Sequence, residues 1–247
     1  MACVYEVDQW RSYQMVWSDP HRQLEPLERE EELVDGALAA LVAAGILAHN
    51  YYDVDKFAAH RAAVRERFDI PWTAITPRLQ RLMYAINAIA QPQEMVAVGI
   101  FCGNTFISNA GAAIGPGACY RARRLVGIEI RPQEADRARR NVAALDGDHL
   151  AEVIAADGVQ WLREFEGTID LLYLDADGRN GQGKAIYLEL LQEALRALRP
   201  GSLVLAHNSV NSAEQLADYL DYVRGPADFR QSMNVILDDQ GLEVSLR

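Results

Sequence analysis

From residue 93 onward the chain alternates, and that alternation limits its fold more than any other feature. Short apolar runs at Met95–Gly99, Leu125–Ile130, Val153–Ala155, Ile169–Leu174 and Ser202–Ala206 read as strands. Between and after them, Thr105–Ile114, Pro132–Leu145, Gly158–Phe165, Ala185–Leu198 and Ala213–Val223 read as helices; in the fourth, Leu188, Leu191, Leu195 and Leu198 share one side. Strands separated by connections this long run parallel, because a tight hairpin cannot join them, and the helices then cover the sheet. The tail departs from this rule. Phe229–Leu237 and Leu242–Leu246 are strand-like with only Asp238-Asp239-Gln240-Gly241 between them, which predicts a hairpin and an antiparallel edge pair. The expectation is a doubly wound, mostly parallel α/β sheet.

Ahead of that region the chain reads as helices and loops. Leu27–Ala48 carries Leu33, Leu38, Leu41, Val42 and Ile46 at helical spacing, with Pro26 just before it. Asp53–Phe68 reads as a second, charged helix. Thr76-Pro77 reads as an N-cap followed by proline at the first helical position, opening a helix to Ala90 that Pro92 ends. The division expected is a helical extension over residues 1–75 and a main domain over 76–247.

Composition removes several function classes. Half of the 247 residues are apolar, enough for a buried core and too many for a disordered chain. The longest apolar run, Gly36–Ala48, falls short of the roughly 20 residues a membrane helix needs. Met-Ala-Cys-Val-Tyr-Glu lacks the basic-then-apolar order of a secretory leader, so no secretory signal is expected, and with the short apolar runs and acidic charge no membrane partner is expected either. A net charge of −11 argues against nucleic acid as a partner, although Arg121, Arg123 and Arg124 form a local basic patch. Three cysteines without a C-x-x-C pair do not make a disulfide framework or a thiolate zinc site, and a cytoplasmic setting is expected.

In sheets of this kind, ligands bind at the carboxyl ends of the strands. The first of those ends reads Val98-Gly99-Ile100-Phe101-Cys102-Gly103-Asn104-Thr105. Its G-x-x-x-G spacing is neither the dinucleotide fingerprint nor a P-loop, and taken alone it is a tight strand-to-helix turn. Glu129 sits at the next strand end, where a carboxylate can accept two hydrogen bonds from ribose hydroxyls. Asp157 follows the third strand, where a carboxylate can accept from an adenine amino group. Each acid alone reads more simply as a helix cap or a solvated charge. Glycine, acid and acid at three successive strand ends point instead to an adenosine without a diphosphate.

Residues from about 75 to 247 resemble the S-adenosylmethionine-dependent methyltransferases, and within them the catechol and caffeoyl-CoA O-methyltransferases. The matching pieces are Ile75-Thr76-Pro77, Gly99–Thr105, Gly127–Ile130, Ala156-Asp157-Gly158 and Leu174–Asp177. Arg199–Ser202, Ala206-His207-Asn208 and the terminal Gly241–Arg247 complete the set. The resemblance implies a seven-stranded sheet with an antiparallel last strand. It implies S-adenosylmethionine as cofactor, with Glu129 on the ribose and Asp157 and Gly158 near the adenine. Gly99, Phe101, Gly103 and Thr105 would then belong to the turn facing the methionine part. It also implies that the N-terminal helices cover the acceptor pocket and contribute to a homodimer. Trp10, Tyr13, Trp17, Tyr51, Tyr52 and Trp72 supply aromatic surface for packing, for the pocket or for the interface.

In the catechol branch a metal is held by an acid after the fourth strand and an Asp-Asn pair after the fifth. Here those positions read Asp175 and His207-Asn208, and His207 is the departure. Two readings stay open. In one, Asp175, His207 and Asn208 hold a divalent ion, magnesium or a transition metal, and this reading is slightly favoured. In the other, the metal is gone and His207 is the general base, a role suited to imidazole. A further departure is Gly178, where that branch carries a lysine acting on the acceptor. Lys184, one of only two lysines, is the candidate to enter the same space; its plainer reading is a solvated side chain at a helix start. Ala97 also departs, since many relatives carry an acid there. The function expected is methyl transfer to a hydroxyl of a small molecule, with catalytic candidates His207, Asp175 and Lys184, and Asp175 also near the cofactor. The rivals are metal-independent N-methyl transfer with His207 as base, and a degenerate fold acting as a partner protein.

Overall fold

A computed structural model describes residues 3–247. One eight-stranded sheet organises it. The strands are β1 (Cys3–Glu6), β2 (Glu94–Val98), β3 (Arg124–Glu129), β4 (Ala151–Ala155), β5 (Ile169–Leu174), β6 (Leu198–His207), β7 (Gln231–Ile236) and β8 (Leu242–Leu246). Their order across the sheet is β1-β7-β8-β6-β5-β2-β3-β4. From β4 to β6 all neighbours run parallel; β8 is antiparallel to both β6 and β7.

The helices are α1 (Leu27–Ala43), α2 (Val54–Arg67), α3 (Pro77–Ala90), α4 (Asn104–Ala110), α5 (Pro132–Ala143), α6 (Gly158–Glu164), α7 (Ile186–Ala194) and α8 (Ala217–Arg224). Thr76 caps α3, its hydroxyl accepting from the Leu79 amide, with Pro77 at the first position. The first apolar run does not carry its helix to Ala48. α1 stops at Ala43 because Gly45 takes a left-handed φ of 72°, and the Gly45 and Ile46 amides fold back onto Val42 and Leu41. α4, α7 and α8 are likewise shorter than their apolar patterns suggest, and β6 begins earlier, at Leu198.

Two apolar layers cover the sheet. One includes Leu38, Leu82, Ile107 and Val142 from α1, α3, α4 and α5. The other includes Leu162, Leu190 and Leu220 from α6, α7 and α8. Two features of the sheet differ from expectation. The strand count is eight rather than seven, because the N-terminal residues add β1 in parallel with β7, pairing Cys3 with Met233 and Glu6 with Ile236. The terminal hairpin is therefore not an edge pair: β8 lies between β6 and β7, and β1 covers β7. No helix among the described residues is long and apolar enough to cross a membrane.

This topology aligns the carboxyl ends of β2 to β6 along one rim. Ladder bonds continue past the strands: the Gly99 amide donates to the Ile128 carbonyl, Asp175 to Val98, and Ala156 to Glu129. The first residues beyond these strands are thereby hydrogen-bonded to the neighbouring strands.

Candidate active site

A cavity of about 610 Å³ opens along that rim, within the size range of small-molecule sites. Gly99, Phe101, Thr105, Glu129, Asp157, Gly158, Asp175, Lys184, His207 and Asn208 all line it. Gly103 does not; with a φ of 91° it is the N-cap residue of α4 and packs on Ala138.

On one side lie the residues expected to meet the cofactor. Gly99 has a φ of 84°, and a Cβ there would stand 2.4 Å from the backbone of Ala176, so only glycine lets β2 and β5 end this close. Phe101 is also left-handed, at 50°, and its amide donates to Glu129 Oε2 at 2.8 Å. Glu129 Oε1 accepts from the Arg131 amide at 3.0 Å and from Arg131 Nε at 3.2 Å. Asp157 caps α6, one oxygen accepting from the Val159 and Gln160 amides, while its other oxygen faces Arg179 at 3.2 Å. The buried Thr105 hydroxyl has no partner.

On the other side Asp175, His207 and Lys184 form one cluster. Lys184 Nζ lies 3.0 Å from Asp175 Oδ1 and 3.1 Å from the Asp175 carbonyl. His207 Nδ1 lies 3.1 Å from the same Oδ1. Burial raises the Asp175 pKa, but the ammonium of Lys184 and the imidazole of His207 outweigh it and bring the group down to about 2. An ionised carboxylate only accepts, so His207 carries its proton on Nδ1 and leaves Nε2 as the basic nitrogen. That Nε2 is buried without a partner. Asn208, left-handed at 67°, donates its amide to Asn211 Oδ1 and Gln240 Oε1, both at 3.0 Å, which leaves its Oδ1 buried and open.

These residues do not fit a divalent ion. Among the described residues no group of three or more His, Cys, Asp or Glu side chains is placed to hold one. Asp175 is the single carboxylate of the expected set, and its Oδ1 is already shared by an ammonium and an imidazole. Two unit charges 4 Å apart repel by about 4 kcal/mol at a protein-like effective dielectric, and a dication beside Lys184 meets about twice that. The arrangement therefore gives no support to the expectation that Asp175, His207 and Asn208 hold magnesium or a transition metal.

Of the six aromatic residues singled out above, only Trp17 and Trp72 reach the cavity. They stack on each other with centroids 5.7 Å apart, and Trp72 lies 4.7 Å from Phe101. The Thr73 amide donates to the Trp17 carbonyl at 3.0 Å, tying the N-terminal segment to the site. Tyr13 lies under the Arg78 guanidinium, Tyr52 accepts from Arg81, Trp10 donates to Glu6, and Tyr51 stacks on His49. Sequence reasoning missed Arg179, Asn211 and Gln240. The four-residue turn carrying Gln240 was legible as a hairpin, but not its reach to Asn208.

Residues 96–209 match the family described as "Methyltransferase domain". A catechol O-methyltransferase from Niastella koreensis is 24% identical over 169 residues, covering 67% of this chain and 71% of that protein. Among solved structures, the O-methyltransferase TomG from Streptomyces achromogenes, in complex with SAM, superposes with a TM-score of 0.58 at 22% identity, covering 90% of this chain and 99% of TomG. The SAH-bound methyltransferase PaMTH1 from Podospora anserina gives 0.61 at 15% identity, covering 92% of this chain and 99% of that one. Residues 96–209 are thus similar to a methyltransferase domain, and the chain shares the fold of these cofactor-bound methyltransferases.

Proposed function

We propose that the chain methylates a hydroxyl of a small molecule, with His207 as the general base and Asp175 as the group that orients it. The observation that carries this reading is the Asp175–His207 pair: Nδ1 sits 3.1 Å from the carboxylate, and Nε2 is buried, unpartnered and part of a cavity-lining side chain. Glu129 would bind the ribose, Asp157 and Gly158 the adenine end, and Gly99, Phe101 and Thr105 the methionine end. When bound, the cofactor supplies an electrophilic methyl group on a sulfonium sulfur.

His207 Nε2 takes the proton of the acceptor hydroxyl as its oxygen forms a bond to that methyl carbon. Held by Glu129, Gly99 and Thr105, the cofactor would supply that methyl group, keeping the electron pair of the carbon–sulfur bond on sulfur. The proton remains on the imidazole, where Asp175 balances the new positive charge. Trp17 and Trp72 line the cavity beside Phe101, where they would help exclude water. The N-terminal extension thus serves the site directly.

The test is transfer of a labelled methyl group from S-adenosylmethionine to a panel of phenolic and aliphatic hydroxy compounds, with product identification by mass spectrometry and NMR. The expected product is a methyl ether, with His207→Ala losing turnover while its affinity for S-adenosylhomocysteine stays near wild type. Methylation on nitrogen, or a fully active His207→Ala, overturns the reading.

A further inference from the structure

We propose that Lys184 is a tethered cation that takes the place of a divalent ion in the acceptor site. This rests on the function proposed above and assigns that site its charge. The ammonium is not where a surface lysine belongs: its side chain is only 12% exposed, and it lies between Asp175 and the exposed Asp177, with Nζ 3.6 Å from Asp177 Oδ1. Nor is it a default choice of residue. The chain has two lysines among 24 basic residues, and the other, Lys56, donates to the Ala118 carbonyl outside the cavity.

The backbone is shaped to deliver it. Lys184 is nine positions after Asp175, yet returns to it because the intervening loop doubles back. The Gly178 amide donates to the Gly183 carbonyl at 2.8 Å, and Asn180, Gly181 and Gly183 are all left-handed, at 55°, 82° and 53°. At the end of the loop the Lys184 amide donates to Gln215 Oε1 at 2.8 Å, and a Cβ on Gly183 would stand 2.3 Å from that same oxygen. A side chain at Gly183 would be strained by its left-handed backbone, and closing the loop sets Lys184 on Asp175.

An ammonium has three N–H donors. Two go to Asp175, one to its side chain and one to its carbonyl. The third is available to the acceptor oxygen, where negative charge develops as His207 removes the proton. A fixed positive charge there does what a bound cation does for such an oxygen: it favours the deprotonated form and orients it. Removing that ammonium would release the Asp175 carboxylate beside two other open acceptors, His207 Nε2 and Asn208 Oδ1.

The test uses Mn²⁺ as the probe, read by the electron paramagnetic resonance signal of the free ion, with no acceptor present. Wild type, Lys184→Met, Lys184→Arg and the double variant Lys184→Met/Asp175→Asn are compared. S-Adenosylhomocysteine binding by calorimetry establishes that each variant is folded. The expected result is that Lys184→Met binds Mn²⁺ about tenfold or more tightly than wild type, a minimum of about 1.4 kcal/mol. Lys184→Arg should stay as weak as wild type, and Asp175→Asn should abolish the gain. One tightly held Mn²⁺ per wild-type chain, or no gain in Lys184→Met, overturns the proposal. If Lys184→Met fails to bind S-adenosylhomocysteine, the comparison of wild type with Lys184→Arg decides: strong binding by either overturns it, and weak binding by both supports it. The outcome is independent of whether His207 is the base, which the turnover of His207→Ala reads.

Discussion

Replacing Glu129 with glutamine changes little in volume but alters three relationships at once. Each carboxylate oxygen already holds a backbone amide: Oε2 that of Phe101 at 2.8 Å, Oε1 that of Arg131 at 3.0 Å. The third internal bond, from Arg131 Nε, comes from a side chain that is 59% exposed and can yield to a ligand. One acceptor direction per oxygen therefore remains for the ribose hydroxyls of the binding mode proposed above. In Glu129→Gln the NH₂ group must face one of the two amides, donor against donor, or turn that conflict onto the ribose. Hydrogen bonds to a charged group contribute about 1.5–3 kcal/mol each, so losing the charge and one good acceptor costs about 3 kcal/mol. At 1.4 kcal/mol per decade this is about a 150-fold weaker dissociation constant for S-adenosylhomocysteine. Calorimetry on variant and wild type measures it, with circular dichroism confirming that the sheet persists. A dissociation constant within about threefold of wild type would refute the argument.

Two further predictions concern the scaffold. Burial, with Arg61 nearby, lowers the His60 pKa from 6.5 to about 4. The unfolded chain therefore binds a proton that the folded one refuses: stability is full above pH 6.5 and falls by up to about 3 kcal/mol as pH drops toward 4, at about 1.4 kcal/mol per unit. Urea titrations across that range should show this decline in wild type and a shallower one in His60→Gln; equal declines would remove His60 as the cause. Glu30, 1% exposed, accepts from both terminal nitrogens of Arg61 and from Nε of the buried Arg81. Glu30→Gln leaves the Arg81 guanidinium undercompensated and should cost about 3–5 kcal/mol of unfolding free energy. A loss below about 1 kcal/mol would show that the network relaxes around the change.

The central strands were legible because a parallel sheet buried on both faces writes continuous apolar runs, bracketed here by glycine and proline. The strand-end residues were legible for the same reason: Glu129 and Asp175 directly follow or end such runs. Each acid then proved to hold backbone or side-chain partners of its own, so a capping role and a cavity-lining role coexist at Asp157. β1 was not legible, since four residues with alternating burial find their partner in β7, some 230 positions away. The rank of β8 within the sheet was also hidden, because local alternation gives a strand's faces but not its neighbours. Lys184 was visible as a candidate for the acceptor space, but its direct bond to Asp175 was not. That contact depends on a run of left-handed residues and on Gln215, which no local pattern announces. His207 was recognised as a departure, and its pairing with the same carboxylate oxygen as Lys184 was not.

Methyl transfer from labelled S-adenosylmethionine to a hydroxylated acceptor, measured in EDTA on protein assayed for bound metal, tests the account most directly. It predicts a methyl ether formed at a rate unchanged by the chelator, and none formed by His207→Ala. Turnover that EDTA abolishes and added Mg²⁺ or Mn²⁺ restores would contradict it.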